Sequence, residues 1–298
     1  MKNKKIKKMF YAILVVIVSY LVFEDDSLIR EYISGNSTLN NNTNSQNVDG
    51  NLKVNYIDVN QGDSIFIELP NDEVMLIDAG EKSESAKVIN YIEKLGYEKI
   101  DYVIGTHPHT DHIGSLSSVI ESFDIGKIYM PKVVSTSKTY ENLLATIKNK
   151  NLKVTTAKSG VNIINNKDLK IDIIAPVKQY SDLNNNSAVI KLVYKERSFL
   201  FMGDAETMSE DDIKESVKSD VIKVGHHGSD SSSSKDFVSK VGAKYAIISV
   251  GDGNIYDHPY QEIIERYKNN GAKIYRTDLD GDIVITSDGN NISVSTNR

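Results

Sequence analysis

The chain has 298 residues, 41 acidic against 35 basic side chains for a formal net charge of −6, and neither cysteine nor tryptophan. Without cysteine there is no disulfide framework, thiolate metal site, iron–sulfur cluster or cysteine nucleophile. Hydrophobic residues at 40% and charged residues at 26% fit a folded globular protein. The acidic balance argues against a broad nucleic-acid groove, which relies on lysine and arginine.

The N-terminus MKNKKIKK leads into an uncharged apolar run over residues 9–23. That pattern predicts a membrane anchor helix within residues 1–33. No small-residue cleavage pattern follows Phe23, so an uncleaved anchor is favoured over a cleaved signal that would leave the rest secreted. Lysines before the run keep that end cytoplasmic and place the remainder outside the membrane. Residues 34–51, SGNSTLNNNTNSQNVDGN, hold too few apolar side chains to repay the entropy of ordering and read as a flexible tether. Residues 52–298 continue without a low-complexity break or an internal repeat, and read as one domain.

In that domain, KVNYIDV, SIFIEL and EVMLIDAG predict three strands, and SESAKVINYIEKLG a helix closed by Gly96. DYVIGTH is a short buried strand that runs into the first histidine group. Further strands are predicted over 127–130, 169–175, 188–194, 198–202, 221–224, 245–250, 273–275 and 283–286, and helices over 140–149, 209–217, 235–241 and 260–269. Many strands with interspersed helices mean a layered α/β domain.

All six histidines, His107, His109, His112, His226, His227 and His258, fall in three short stretches. His107-Pro108-His109-Thr110-Asp111-His112 packs three imidazoles and a carboxylate into one loop after a strand. Alternate positions of an extended loop point to one side, so His107 and His109 can grip one ion while Asp111 and His112 turn toward a neighbouring one. Two metals on one loop need a bridging carboxylate from elsewhere. Asp204 ends the apolar strand Phe199-Leu200-Phe201-Met202-Gly203, which is where such a ligand is wanted. His226 and His227 follow the strand VIKV, and His258 follows the strand over 245–250. All lie past strand ends, where α/β folds place their ligands. Imidazole and carboxylate suit zinc best, with manganese or iron as alternatives.

The H-x-H-x-D-H loop, Leu76-Ile77-Asp78-Ala79-Gly80 before it and the later Gly203-Asp204 resemble the metallo-β-lactamase superfamily of two-metal hydrolases. More narrowly, Asp58-Val59-Asn60-Gln61-Gly62-Asp63-Ser64, Asn184-Asn185-Asn186-Ser187, Gly203-Asp204-Ala205-Glu206, His226-His227-Gly228-Ser229 and Ile248-Ser249-Val250-Gly251 with His258-Pro259 resemble the metallo-hydrolase domain of ComEC-type DNA-uptake proteins. The resemblance covers essentially all of 52–298. It implies a four-layer αββα sandwich with two divalent metals at one edge between the sheets. Two departures stand out: Asn60 replaces a usual glycine, and Asn184, Asn185 and Asn186 occupy the region of a usual histidine. With no channel-type membrane segments, the expectation is the hydrolase module alone on a single anchor.

The loop supplies three of the five histidines normally needed, so two come from His226, His227 and His258, and which one completes each shell is open. The remaining histidine, His226 or His258, would face substrate as an acid or phosphate contact. The implied chemistry is attack by a hydroxide shared between the two metals, oriented by Asp111. Asp78 is expected to tie down the metal loop. Ser229 and Asn186 are candidate substrate contacts, although the serine run 231–234 reads first as solvated linker.

The function expected is an extracytoplasmic phosphodiesterase or nuclease acting on DNA, tied to the cell membrane, with a DNA-uptake channel as a candidate partner. The alternatives are a surface phosphoesterase on choline-bearing wall polymer and a β-lactamase- or lactonase-type hydrolase. A serine hydrolase is excluded by the lack of a G-x-S-x-G elbow. Asp278-Leu279-Asp280-Gly281-Asp282 lacks the closing glutamate of a calcium loop and reads as a hairpin turn at Asp280-Gly281.

Overall fold

A computed structural model describes residues 22, 23 and 50–298. Among these residues, fifteen strands form two sheets. The first has eight strands in the order β15 (Ile292–Thr296), β14 (Ile283–Ser287), β1 (Leu52–Tyr56), β2 (Ser64–Glu68), β3 (Val74–Ala79), β4 (Lys99–Ile104), β5 (Asp124–Met130) and β6 (Val154–Thr156). The second has seven, in the order β13 (Lys273–Arg276), β12 (Tyr245–Ile248), β11 (Val221–Lys223), β10 (Arg197–Phe201), β9 (Val189–Tyr194), β8 (Leu169–Ala175) and β7 (Val161–Asn165).

Strand periodicity explains the layering, because successive side chains point to opposite faces. In β2, Ile65 and Ile67 enter the core between the sheets, while Phe66 faces the helices Ser85–Lys94, Leu116–Ser122 and Lys138–Asn149. In β10, Phe199 and Phe201 meet the opposite sheet, while Leu200 packs with Lys235–Val241 and Gln261–Asn269. Each sheet is thus covered by the other sheet on one face and by helices on the other, giving the expected αββα sandwich.

Each sheet has a parallel half: β3 through β6 in one, β10 through β13 in the other. Their C-terminal ends therefore share one edge of the sandwich. Asp78 stands at the end of β3, and the loops that leave the other strands carry His107, Asp204, His226 and the segment leading to His258.

Several expectations are corrected. Asp280-Gly281 is no hairpin: β13 and β14 belong to different sheets, and the one-turn helix Thr277–Asp280 with Gly281 carries the chain between them. The helix expected over 209–217 is Thr207–Asp212. Strands β6, β7 and β15 are not apparent in the sequence because they are short and partly exposed, so their hydrophobic alternation is weak.

Most of the expected anchor and tether lies outside the described residues. Val22 and Phe23 are buried with the helices that cover the larger sheet, and Phe23 makes an isolated parallel bridge to Val154. No helix among the described residues is long and apolar enough to cross a membrane.

Candidate metal centre

The loop after β4 begins the site. Asp78, at the end of β3 and fully buried, accepts hydrogen bonds from the Thr106 amide at 2.8 Å and the Thr106 hydroxyl at 2.6 Å, and lies 2.8 Å from His112 Nδ1. It thus pins the histidine loop at its root and aims His112 Nε2 into the site. Gly62, with φ of 129°, lets a second loop press on this one: a Cβ there would lie 2.1 Å from the Asp111 carbonyl. The Asp63 amide donates to that same carbonyl at 3.1 Å. Asn60, in place of the expected glycine, has φ of 57°, a left-handed conformation that asparagine tolerates better than most residues.

Asp204 lies in the centre of the site. Its Oδ2 is 3.6 Å from His107 Nε2 and 3.8 Å from His226 Nε2, and His107 Nε2 lies 2.9 Å from His109 Nδ1. Its Oδ1 is 3.2 Å from His112 Nε2 and 3.4 Å from His227 Nε2. Asp111 Oδ2 joins this second group, 3.4 Å from His227 Nε2 and 3.8 Å from His112 Nε2. Two donor sets result, His107–His109–Asp204 and Asp111–His112–Asp204–His227, each with its ligand atoms within 4.8 Å of one another.

His226 and His227 both adopt left-handed backbone conformations, with φ of 47° and 53°, between Gly225 and Gly228. The turn sends their rings to different places. His227 Nδ1 faces the Ser249 carbonyl at 2.9 Å, which directs Nε2 inward. His226 Nδ1 is 3.2 Å from Glu206 Oε1 and 3.1 Å from Ser231 Oγ, which directs its Nε2 toward Asp204. Gly228 admits Pro259, since a Cβ there would lie 2.5 Å from the proline Cβ. His258 is held beside the pair, its ring centroid 5.5 Å from that of His226 and 6.5 Å from that of His227, outside both donor sets.

The electrostatics divide the two sets. Burial holds His107 well below the usual imidazole pKa and lowers His109 as well. Burial also opposes charge on His112 and His227, but Asp204 and Asp111 outweigh it, raising His112 well above normal and His227 to about 10. For Asp204 itself burial favours the neutral form, and His112 and His227 overcome it to keep the carboxylate ionised. These buried groups suit divalent cations. Imidazole nitrogens whose lone pairs could serve a cation face each other, His112 Nε2 lying 3.3 Å from His227 Nε2, and the buried Asp204 Oδ1 has no hydrogen-bond partner. The cluster can bind metal.

Above it opens a cleft of ≈ 920 Å³ lined by His109, Asp111, Asp204, His226, His227 and His258, with Gln61, Glu81, residues 134–137, Asn184 and Tyr256 around them. Of the eight residues singled out as metal ligands, six form the two donor sets; His226, its Nε2 3.8 Å from Asp204 Oδ2, and His258 stand beside them. The two expected substrate contacts do not face the cleft. Asn186 is spent on its own loop, accepting from the Tyr180 amide and donating to the Tyr180 and Asp182 carbonyls. Asn184 lines the cleft instead. The Ser229 hydroxyl lies 2.9 Å from that of Ser231 and acts through it on His226. The serine run is not solvated linker: Ser232 and Ser233 are buried, and the amides of Ser233 and Ser234 donate to Glu210. The sequence motifs assign no role to Glu206 or Lys223, although the acidic residue two places after Asp204 and the lysine inside an apolar strand are visible signals.

This fold and this cluster define a class. Residues 57–252 match the Metallo-beta-lactamase superfamily; the chain belongs to it and carries its hydrolase fold. The chain is 28% identical over 252 residues to ComE operon protein 3 of Bacillus subtilis, covering 78% of this chain and 32% of that protein. It is 25% identical over 229 residues to Competence protein ComA of Neisseria gonorrhoeae, covering 75% and 30%. The chain therefore spans about a third of the length of the curated relatives it matches. Among solved structures, it resembles CmlA, a diiron beta-hydroxylase from Streptomyces venezuelae, with a TM-score of 0.52 at 14% identity, covering 80% of this chain and 54% of that one. That likeness shows the fold alone.

Proposed function

We propose that residues 52–298 form a two-metal phosphodiesterase that cleaves DNA. One observation carries the reading: the two oxygens of Asp204 face two separate sets of ligand-type atoms, the arrangement needed to bridge a pair of cations. His107, His109 and Asp204 would hold one cation, with His226 completing the shell; Asp111, His112, His227 and Asp204 would hold the other. Zinc suits these ligands, as do manganese and iron. When bound, such a pair supplies Lewis-acid stabilisation of phosphoryl oxygens and lowers the pKa of water.

The chain's own residues supply the rest. Asp111 lines the cleft; although burial opposes its charge, His112 and His227 keep its carboxylate ionised, and it would accept a hydrogen bond from water and orient it. His258 is the histidine that faces substrate: burial, with the charges of His227 and His226, lowers its pKa to about 4, so at neutral pH it acts as an uncharged hydrogen-bonding group. Asn184 adds an amide at the cleft wall. Similarity to competence proteins supports DNA as the substrate and a DNA-uptake channel as a partner. The lysine-flanked apolar N-terminus supports a domain held to the membrane on its outer side.

The test is hydrolysis by the purified chain, loaded with zinc or manganese, of four substrates: DNA, bis-p-nitrophenyl phosphate, a phosphocholine ester and a cephalosporin. Cleavage of DNA and of the small diester is expected. Cleavage of the small diester with no DNA cut removes the nuclease reading. Protease added to intact cells should release the domain, and protection would reverse the topology.

A further inference from the structure

The cleft offers a nucleic acid no ordinary electrostatic grip. Among the described residues no lysine or arginine lines it, whereas Glu81, Asp111 and Asp204 do. At its mouth stands a group of aromatic rings with no part in the metal centre. Tyr256 is 55% exposed and lies nearly parallel to His258, at 26° with centroids 5.7 Å apart. Tyr260, 39% exposed, lies 5.7 Å from the His258 ring, and His258 in turn is 5.5 Å from His226. A chain of rings thus leads from solvent toward the donor atoms: Tyr256 is near-parallel to His258, while Tyr260 is tilted 52° and His226 74° to it.

The exposure is built in. Asn254 donates to the carbonyls of Gly251 and His258 and accepts from the amides of Tyr256 and His258, and the Tyr260 amide donates to the Gly228 carbonyl. These hydrogen bonds fix a loop whose tip shows solvent a tyrosine and the 88% exposed Ile255. Tyr256, Ile255 and Tyr260 together thus offer an exposed apolar face beside the cleft.

We propose that Tyr256, His258 and Tyr260 form a stacking platform that grips the bases of single-stranded nucleic acid and delivers the adjoining phosphodiester to the metal centre. This deepens the phosphodiesterase reading and rests on it. Every base has a π-face, so stacking holds a strand without sequence preference. In a duplex those faces are already occupied, so the platform selects unpaired strands or frayed ends. A quaternary ammonium group would need faces closing around one point, as in an aromatic cage. The near-parallel rings of Tyr256 and His258 instead present a flat face, against which a base can stack.

The experiment measures binding by fluorescence anisotropy on the full chain in EDTA, so that cleavage does not intervene. The probes are a labelled thymidine pentamer, an abasic strand of the same length and a duplex. The thymidine strand is expected to bind about tenfold tighter than the abasic strand or the duplex. The Tyr256→Ala/Tyr260→Ala double variant should lose that preference while keeping its affinity for the abasic strand, and Tyr256→Phe should retain it. Equal affinity for thymidine and abasic strands in the parent, or a preference that survives in the double variant, overturns the platform. So does displacement of the thymidine strand by phosphocholine. A chain that cleaves bis-p-nitrophenyl phosphate without base preference refutes the platform alone; base preference without diester cleavage refutes the enzymatic reading alone.

Discussion

The ammonium of Lys223 lies 2.7 Å from Oδ2 of Asp63, and both side chains are sealed from solvent directly beneath the histidines. Lys223 belongs to one sheet and Asp63 to the loop entering the other, so the pair ties the two sheets together under the site. Lys223 also donates to the Val224 carbonyl at 2.9 Å, and Asp63 Oδ1 lies 3.5 Å from His227 Nδ1. A buried charge that loses its partner is costly. Lys223→Met should therefore lower unfolding free energy by about 3–5 kcal/mol, and adding Asp63→Asn should recover part of the loss. Urea unfolding of the two single variants and the double variant measures this; additive losses would mean that the pair is not coupled.

Metal loading should expel protons from one donor set only. His107 and His109 are held neutral by burial, whereas His112 and His227 keep their protons under the influence of Asp204 and Asp111. Cations compete with those protons, so affinity rises with pH, up to the His227 value of about 10. Calorimetry at pH 7 in buffers of different ionisation heat should show release of about two protons per fully loaded chain. A heat independent of buffer would contradict the assignment.

Asp204→Asn keeps the shape of the side chain and removes the charge shared by both sets. Bound metal should fall by at least one ion per chain, and diester hydrolysis to about 1% of the parent or less. Circular dichroism should be unchanged. Parental activity with a retained fold would remove metal catalysis from this site.

Glu206 touches His226 Nδ1, Ser231 and Asn184 through one oxygen and Asn185 through the other. It sets which His226 nitrogen faces Asp204. Glu206→Gln should weaken metal affinity or turnover by roughly 10–100-fold, as loss of a carboxylate behind a ligating histidine does. Competition with a chromogenic chelator reads the affinity, and a parental value would limit Glu206 to holding the loop.

Lys191 is buried against the Lys218 carbonyl and the Ser219 hydroxyl, and burial lowers its pKa to about 8. The unfolded chain keeps that proton to about pH 10.4, so between these values unfolding takes up a proton and stability rises with pH. Below pH 8 both states are protonated and the full penalty remains. The raised pKa of His227 gives the opposite slope in the metal-free protein, so the informative quantity is the stability of the parent minus that of Lys191→Met. That difference should increase by about 2–3 kcal/mol from pH 7.5 to 10 in urea titrations. A flat difference would mean that Lys191 is not depressed.

Much of this protein is legible in its amino-acid sequence. Strand periodicity exposes the layers, since a residue such as Phe66 between Ile65 and Ile67 must face away from them. The order H-x-H-x-D-H and the Asp204 strand end identify the chemistry, because ligand type and spacing along one loop are properties of the covalent chain. The role of Asp78 in tying down the loop is legible too, and the fold shows how, through Thr106 and His112.

Low histidine content and the absence of cysteine thus determined, by themselves, a nitrogen and oxygen site and where along the chain it lies. Only the tertiary structure decided which imidazole serves which set, that Asn184 rather than Asn186 reaches the cleft, and that Lys223 and Asp63 meet beneath it. The reason is physical. Those contacts join loops from two sheets far apart in sequence, and the left-handed turn at His226 and His227 divides two adjacent rings between separate environments. No local pattern encodes that division; the packing of one sheet on the other does.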